Sequence, residues 1–314
     1  MRRIGADSDS IDELEAASGG WSLVFHQLDR GRLRTELEQI GTDRAILSRT
    51  RFNRALDQRG CPPPGLLTFG FLDADGPDVR WCGREAGKYT LLNFNGAGGF
   101  ESVSQPGHHG FTFSIPEDQL AVVAGTVGAR EFEQCLDAVT EAPPFFTAEV
   151  GALRVLAREL CDSSHRDPGL LMSPSFQERL EFELPYHLVS ALASAEPESG
   201  TYTSRRRAIK KARALIEDRL GKPPTVRELC DHAGVSWRTL DYAFREHLDM
   251  TPQAYVKAIR LDKVRRLLRT NSCASVALAA RRCGFRHMSK FAADYRSHFG
   301  ELPSDTLRVS KPRR

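Results

Sequence analysis

Residues 225–236 read Thr225-Val-Arg-Glu-Leu-Cys-Asp-His-Ala-Gly-Val-Ser236, and the same pattern returns as Ser275-Val-Ala-Leu-Ala-Ala-Arg-Arg-Cys-Gly-Phe-Arg286. In each copy a hydroxyl residue precedes a short apolar run, and Gly234 or Gly284 follows that run. Serine and threonine are favoured residues at helix starts, and glycine readily takes the left-handed conformation that ends a helix. Each copy therefore predicts a helix, a tight turn and a second helix that begins just after the copy.

The second helix of each copy carries one regular apolar face. Its residues, spaced by four, are Leu240, Phe244 and Leu248 in the first copy and Phe291, Tyr295 and Phe299 in the second. Because residues four apart share one side of a helix, the opposite side is left free. In proteins that read DNA by this motif, the free side of the second helix enters the major groove. Two copies in matching register favour two DNA-reading units over two ordinary helical hairpins.

Charge is distributed unevenly along the 314 residues, although the net charge is only +3. Residues 203–314 hold 26 Lys and Arg against 11 Asp and Glu, whereas the rest of the chain holds 18 against 30. The basic segment coincides with the repeated pattern, and this coincidence favours a polyanionic partner such as double-stranded DNA.

The cysteines and the apolar runs indicate a cellular location. The seven cysteines are scattered singly without a CxxC pair, which argues against a structural zinc site and favours a reducing compartment. The sequence has neither an apolar run of membrane-spanning length nor a secretory signal. We therefore expect a cytoplasmic protein without a membrane partner.

Short apolar or alternating runs between Trp21 and Gly125 predict strands at residues 21–28, 66–72, 89–94 and 111–115. Turn-forming segments separate them, and Gly96-Ala-Gly-Gly99 is interpreted as a hairpin turn rather than a phosphate-binding loop. Many short strands favour a barrel or a jelly roll. Residues 1–18 are polar and are expected to be loosely ordered.

Helical periodicity begins near residue 130. Two apolar stripes consist of Val150, Leu153, Leu156 and Leu160, and of Leu180, Leu184, Leu188 and Leu192. Pro185 predicts a kink in the second stripe because proline lacks a backbone donor. Residues 196–202 have the composition of a linker. Residues 252–268 predict a helix of roughly 25 Å, which would hold the two reading helices about one DNA turn (~34 Å) apart.

The C-terminal sequence resembles the AraC/XylS family of bacterial transcription regulators over residues 204–308. The resemblance rests on residues 233–240, 244–248, 251–255, 260–268 and 283–291, which begin with Ala233-Gly-Val-Ser-Trp-Arg-Thr-Leu240. Residues 291–303 resemble the branch that contains the ethanolamine operon regulator. In the N-terminal part, Phe111-Thr-Phe-Ser-Ile-Pro116 is similar to the cupin-like sensor domains of such proteins.

The resemblance implies seven helices in the DNA-binding domain and an asymmetric promoter site. By position, the DNA-contacting residues would be Ser236, Trp237, Arg238, Thr239, Asp241 and Tyr242 in the first copy and Arg286, His287, Ser289 and Lys290 in the second. Asp241 would accept a hydrogen bond from a cytosine amine or orient Arg238. Arg286 would contact a phosphate or a guanine edge.

The chain is therefore expected to be an α+β multidomain protein. Residues 1–127 would form a β-rich, cupin-like barrel that binds a small-molecule effector in a pocket containing Phe94, Phe111 and Phe113. Residues 128–202 would form a helical dimerisation or linker segment, and residues 203–314 the double helix-turn-helix domain. The expected function is sequence-specific transcription regulation, by activation or by repression, with promoter DNA, RNA polymerase and a second copy of the chain as partners. No enzymatic activity and no cofactor are expected.

Two alternatives stay open on the sequence alone. His26, Glu101, His108 and His109 have the side chains of an iron or zinc site, as in a cupin-type metalloenzyme with an accessory DNA-binding domain. Their order lacks the His-x-His pair and following Glu of such enzymes, so a solvated loop without metal is the preferred interpretation. The other alternative is an architectural DNA-binding protein, which would show no response to an effector.

Overall fold

The computed structural model describes residues 2–96, 98–127, 145–197 and 204–310 of the chain. The chain divides into two compact units. The N-terminal unit consists of residues 1–25 and 34–199, and the C-terminal unit of residues 26–33 and 200–314. The domain boundary expected after residue 202 lies outside the described residues, as does much of the helical segment expected from residue 128.

Two antiparallel sheets form the N-terminal unit. In the described residues the strands are β1 (Arg2–Ser8), β2 (Ser22–Gln27), β3 (Thr35–Gly41), β4 (Ile46–Phe52), β5 (Leu56–Cys61), β6 (Leu66–Leu72), β7 (Val79–Trp81), β8 (Arg84–Ala86), β9 (Thr90–Asn93), β10 (Phe100–Val103), β11 (His108–Pro116), β12 (Phe145–Phe146) and β13 (Glu196–Pro197). One sheet has the order β1-β3-β4-β11-β6-β9-β12-β13, and the other has the order β2-β5-β10-β7-β8. The expected β-rich architecture is confirmed, although these strands do not close into one barrel.

The first residues of the chain differ from the expectation. Residues 1–18 are not loosely ordered, because β1 pairs with β3 along its whole length and a helix, α1 (Ile11–Ala17), follows it. Leu14 anchors this helix in the interior. The strand lies at the edge of its sheet, where a polar sequence is common and gives no apolar alternation.

Two connections also differ from the expectation. Residues 96–99 do not close a hairpin, since β9 and β10 lie in different sheets. The first two residues of the expected linker, Glu196 and Pro197, form β13 and pair with β12.

Helices cover one face of the larger sheet. They are α2 (Glu117–Val127), α3 (Val150–Arg166), α4 (Pro174–Glu178) and α5 (Leu184–Ala193). Both predicted leucine-rich stripes are buried in one core with strand residues such as Leu47, Phe69 and Phe113, and the stripes are thereby confirmed. A single π-helical turn, Arg179–Glu183, directly precedes Pro185. The expected irregularity near Pro185 is therefore present, because the proline cannot complete the regular hydrogen-bond pattern.

The C-terminal unit contains seven helices in its described residues, as expected. They are α6 (Ser204–Asp218), α7 (Val226–Ala233), α8 (Trp237–Leu248), α9 (Pro252–Arg269), α10 (Val276–Arg282), α11 (Met288–Phe299) and α12 (Pro303–Ser310). Large aromatic residues fill its interior, and Phe244, Tyr255 and Tyr295 are fully buried. Such burial stabilises a fold by about 1.5–3 kcal/mol per large apolar side chain. None of the described helices has both the length and the apolar character needed to cross a membrane.

Candidate nucleic-acid interface

The first copy of the repeated pattern folds as its residues predict. Thr225 Oγ1 accepts a hydrogen bond from the Glu228 amide at 3.2 Å, and Glu228 Oε2 accepts one from the Thr225 amide at 2.8 Å. The hydrogen bonds that the Glu228 carboxylate accepts from the Thr225 amide and hydroxyl lower the pKa of Glu228. Gly234 ends α7 with φ of 72°, and its amide donates to Cys230 O at 2.9 Å. The cap, helix and turn between Thr225 and Ser236 are thus confirmed.

The second copy uses the same devices. Ser275 Oγ accepts from the Leu278 amide at 3.2 Å. Gly284 has φ of 77°, and a Cβ atom there would lie 2.9 Å from Gly221 O, so only glycine fits. After the turn, Phe285 packs against Phe291 with ring centroids 4.9 Å apart. The turn therefore fixes the start of α11 against the core of its own copy.

Helix α8 places the expected first set of DNA-contacting residues on its exposed face. Ser236 caps the helix by accepting from the Thr239 amide at 3.2 Å. Trp237 and Tyr242 are each 57% exposed, and Arg238 is exposed as well. Because Leu240, Phe244 and Leu248 are buried, these polar and aromatic side chains lie on the side away from the core.

Two further members of the first set, besides the capping pair Ser236 and Thr239, have partners within the protein. Asp241 accepts from Arg245 Nε at 2.9 Å, so its partner is Arg245 rather than Arg238. The Arg205 guanidinium lies 4.6 Å from the centre of the Tyr242 ring and also pairs with Glu246. Arg205 is thereby brought beside the exposed face of α8. The basic run at residues 205–207 indicated phosphate contacts at the start of this helix, but not this stacking.

Helix α11 presents the second set. Arg286, His287, Ser289 and Lys290 are all exposed around its N-terminus. The N-cap residue, His287, makes no side-chain hydrogen bond to the first turn. The helix therefore begins with free backbone donors in a basic environment, an arrangement that suits a phosphate group.

Helix α9 is fastened to the second copy by basic side chains. Lys257 Nζ lies 3.2 Å from Asp294 Oδ1 on α11. Arg260 Nε donates to Cys283 O at 2.6 Å, and its guanidinium lies 4.1 Å from the centre of the Phe285 ring. Burial lowers the pKa of Arg260.

The same helix packs against the first copy through Tyr255, whose ring lies 5.5 Å from that of Phe244. Helix α9 thus contacts the core of both copies, as a rigid spacer between α8 and α11 requires.

An open groove of about 570 Å³ lies between the two copies. Residues from the first copy, from α9 and from the second copy line it, including Thr225, Lys257, Arg260, Arg286 and Lys290. Four of these five side chains are basic. The groove therefore continues the basic character of the α11 N-terminus towards the first copy.

Residues 26–33 complete the C-terminal unit. Gln27 is fully buried, and its Nε2 donates to the carbonyl oxygens of Asp29, Gly31 and His298 at 2.8–2.9 Å. His298 Nε2 donates in return to Gln27 O at 3.1 Å, and burial lowers the pKa of His298. This contact joins residues 271 positions apart, so no local sequence pattern could have indicated it.

The expected effector residues lie in the interior of the N-terminal unit. Phe94 and Phe111 line one cavity together with Trp81 and His108. Phe113 is fully buried in the core that packs against the helices. Phe111 belongs to that core as well, because residues two apart on β11 share one face of the strand.

The histidines considered as metal ligands do not lie on a solvated loop. His108 and His109 are the first residues of β11. His109 Nδ1 lies 3.0 Å from Asp73 Oδ2, and Arg158 also donates to that carboxylate. Burial opposes ionisation of Asp73, yet the hydrogen bond from Arg158 lowers its pKa. Within the described residues, no three His, Cys, Asp or Glu side chains are grouped as metal ligands.

Comparison with known proteins concerns mainly the C-terminal unit. A family model described as a helix-turn-helix domain matches residues 229–308. The XylDLEGF operon transcriptional activator of Pseudomonas putida is 38% identical over 99 residues, which are 31% of this chain and 31% of that protein. The HTH-type transcriptional regulator CdhR of Pseudomonas aeruginosa is 41% identical over 93 residues, 29% of this chain and 27% of that protein. The chain thus spans less than a third of these relatives.

Among solved structures, the AraC-like transcriptional activator CuxR is similar over 83% of this chain and 94% of its own, with a TM-score of 0.45 and 11% identity. The family-model match falls on the helices that carry the repeated pattern. Residues 229–308 of this chain are accordingly a helix-turn-helix domain that is similar to the aligned parts of these regulators.

Proposed function

We propose that this protein is a sequence-specific DNA-binding transcription regulator that responds to a small-molecule effector. The observation that carries the proposal is the pair of exposed helix faces, on α8 and α11, held by one rigid helix in one unit. Two faces of this kind can enter two major grooves on one side of a duplex. One named relative is an operon transcriptional activator, which favours activation, contact with RNA polymerase and a cytoplasmic location for this chain.

The chemistry of the two faces supports this function. Aromatic and guanidinium side chains on α8 suit base edges and thymine methyl groups, whereas the basic start of α11 suits phosphates. The groove between the copies adds Lys257 and Arg260 to the positive surface. Sequence recognition would then come mainly from exposed side chains, and orientation on the duplex from phosphate contacts.

The sensor part of the proposal rests on the cavity of the N-terminal unit. A regulator needs a site whose occupation changes its conformational balance, and an enclosed, mostly apolar cavity is the usual form of such a site. The two-sheet unit would supply it, and the helical segment of residues 128–202 would relay the signal or pair two copies of the chain. An architectural DNA-binding protein would not need this cavity, and no observation favours a metalloenzyme.

The test uses the full chain with fragments of its source genome. We expect selection for one asymmetric sequence, and an association constant that falls steeply with salt, by about 0.9 in log K per log unit of salt for each phosphate contacted. A scrambled duplex of equal length is the control. A folded chain that binds the scrambled and the selected duplex equally would refute sequence-specific regulation.

A further inference from the structure

The interior of the N-terminal unit contains a cavity of about 80 Å³. Strands of both sheets contribute to its lining, among them β6, β7, β10 and β11. Trp21 and Leu23, at the start of the smaller sheet, are only partly buried and form part of the wall. The cavity is therefore an interior space with part of its wall close to the surface.

The cavity carries no charge of its own. Among its described lining residues there is no Asp, Glu, Lys or Arg, and the polar groups are neutral ones such as Gln39, Ser48, Gln58 and Ser102. The lining histidine, His108, is neutral at ordinary pH because burial lowers its pKa to about 4. A charged ligand would lose its hydration without gaining a counter-ion, which is strongly unfavourable.

Flat rings dominate one end of the cavity. Trp81 stacks on Phe100 with centroids 5.2 Å apart, and Phe94 meets both rings edge-on at 4.5 and 4.6 Å. Trp21 approaches Phe94 at 5.3 Å in the same edge-on manner. Aromatic groups gain from offset or edge-to-face contacts with a further ring. These surfaces therefore favour a planar molecule over a branched or polyhydroxylated one.

One polar group in this ring cluster lacks a partner. Trp81 is 1% exposed, and its Nε1–H donates to no acceptor in the described part of the chain. His108 Nδ1, in another lining residue, is likewise buried without a partner. A buried donor left unpaired destabilises the folded protein. An acceptor supplied from the cavity would remove that destabilisation for Trp81.

From these observations we infer that the cavity binds a neutral, planar, mainly apolar molecule that carries a hydrogen-bond acceptor for the Trp81 indole. This inference rests on the proposed sensor function and specifies its ligand class. The rings supply affinity for the flat body, the uncharged lining rejects ions, and the unpaired N–H selects one acceptor position.

The size of the cavity connects binding with a conformational change. An apolar protein cavity of roughly 150 Å³ takes up benzene, so a six-membered ring requires the present space of about 80 Å³ to enlarge. We place this enlargement at Trp21 and Leu23, which are apolar wall residues and only partly buried. A ligand that binds only the enlarged form shifts the population towards it.

The experiment compares three probes of similar size on the full chain, namely benzamide, toluene and benzoate, by calorimetry and by the shift in melting temperature. We expect benzamide to bind about three- to tenfold more tightly than toluene, which lacks an acceptor. Benzoate, the anion of the same shape, should bind at least about a hundredfold more weakly than benzamide. Benzoate binding equal to that of benzamide, or no binding of either neutral ring at millimolar concentration, would overturn the inference.

Paired variants test the indole contact. Trp81→Phe should remove the preference for benzamide over toluene, whereas Trp21→Phe, which deletes the other indole of the same wall, should retain it. If Trp81→Phe does not fold, the wild-type preference still decides whether an acceptor is recognised. Loss of sequence-specific DNA binding would refute the proposed regulator without altering these affinities, so the two failures are distinguishable.

Discussion

The exposed faces of α8 and α11, which we propose contact DNA, differ in their individual residues. The first face exposes Trp237 and Arg238 beside a capped helix start, and the second exposes Arg286 and Lys290 beside an uncapped one. A planar guanidinium next to an indole suits a guanine edge and a thymine methyl group. An ammonium at free helix amides suits a phosphate. We therefore expect α8 to contribute more to sequence preference than α11 does.

Arg238→Ala and Lys290→Ala should weaken different halves of one binding site. Loss of a base-edge contact costs roughly 1–3 kcal/mol and relaxes the preference at that base pair. Loss of the phosphate contact at Lys290 should weaken binding to all DNA sequences by a similar factor. It should also reduce the slope of log K against log salt by about 0.9. Footprints of the two variants show this directly. Arg227→Ala, on the exposed surface of α7, serves as control. Protection lost at the same base pairs in the Arg238→Ala and Lys290→Ala variants would contradict the two-face geometry.

His108 should make the N-terminal unit less stable in acid. Its pKa is about 4 in the folded protein against 6.5 in the unfolded chain, because burial disfavours the charged ring. The contribution of neutral His108 to stability is complete above pH 6.5. As the pH falls from 6.5 to 4, the unfolded chain binds a proton that the folded protein does not bind, and this contribution is lost. The loss amounts to about 3 kcal/mol.

Urea unfolding of the full chain between pH 7.5 and 4.5, followed by tryptophan fluorescence, measures this dependence. His108→Phe, which keeps the ring stacked on Phe52, should flatten the pH profile. His165→Gln, on the surface, should leave it unchanged. An identical profile for His108→Phe would show that another group is responsible.

At the scale of elements, the cap of α7 is the most direct consequence of sequence. Thr225→Ala removes the oxygen that accepts from the Glu228 amide and should lower the free energy of unfolding by about 0.5–2 kcal/mol. Thr225→Ser keeps the oxygen and should have a much smaller effect. Denaturation monitored through the exposed Trp237 reports on this unit. Equal stability of the alanine and serine variants would show that the cap does not stabilise α7.

Elements governed by local patterns could be predicted from sequence, and those governed by distant pairing could not. Caps, helix-ending glycines and four-residue apolar spacing gave both copies of the motif, because each signal lies within one or two turns. The edge strand β1 was missed, since its pairing with β3 and not its own composition makes it a strand. The partner of Asp241 was also missed, because Arg238 and Arg245 are both close enough in sequence and only packing selects between them.

At the scale of the whole molecule, the sequence did not indicate that residues 26–33 belong to the C-terminal unit. Gln27→Ala would leave the carbonyl oxygens of Asp29, Gly31 and His298 without their shared donor, at a cost of about 1–3 kcal/mol. We expect lower stability of this unit and weaker DNA binding by the full chain at elevated temperature. The exposed neighbour, Arg30→Ala, is the matched control. Unfolding curves for the two variants that coincide with wild type would show that the segment is not required.

During protein synthesis, residues 26–33 are made long before the part of the C-terminal unit to which they bind. Gln27 leaves the ribosome 271 residues before His298, and elongation at about 5–20 residues per second makes that interval roughly 15–55 s. During this interval the side-chain amide of Gln27 lacks its partner on α11, the carbonyl oxygen of His298, although the strands of its own sheet have already been synthesised. The part of the C-terminal unit that is synthesised first is therefore among the last to form its native hydrogen bonds. A nascent chain arrested before residue 288 should remain cleavable by protease near residue 30, and release of the finished chain should end that sensitivity.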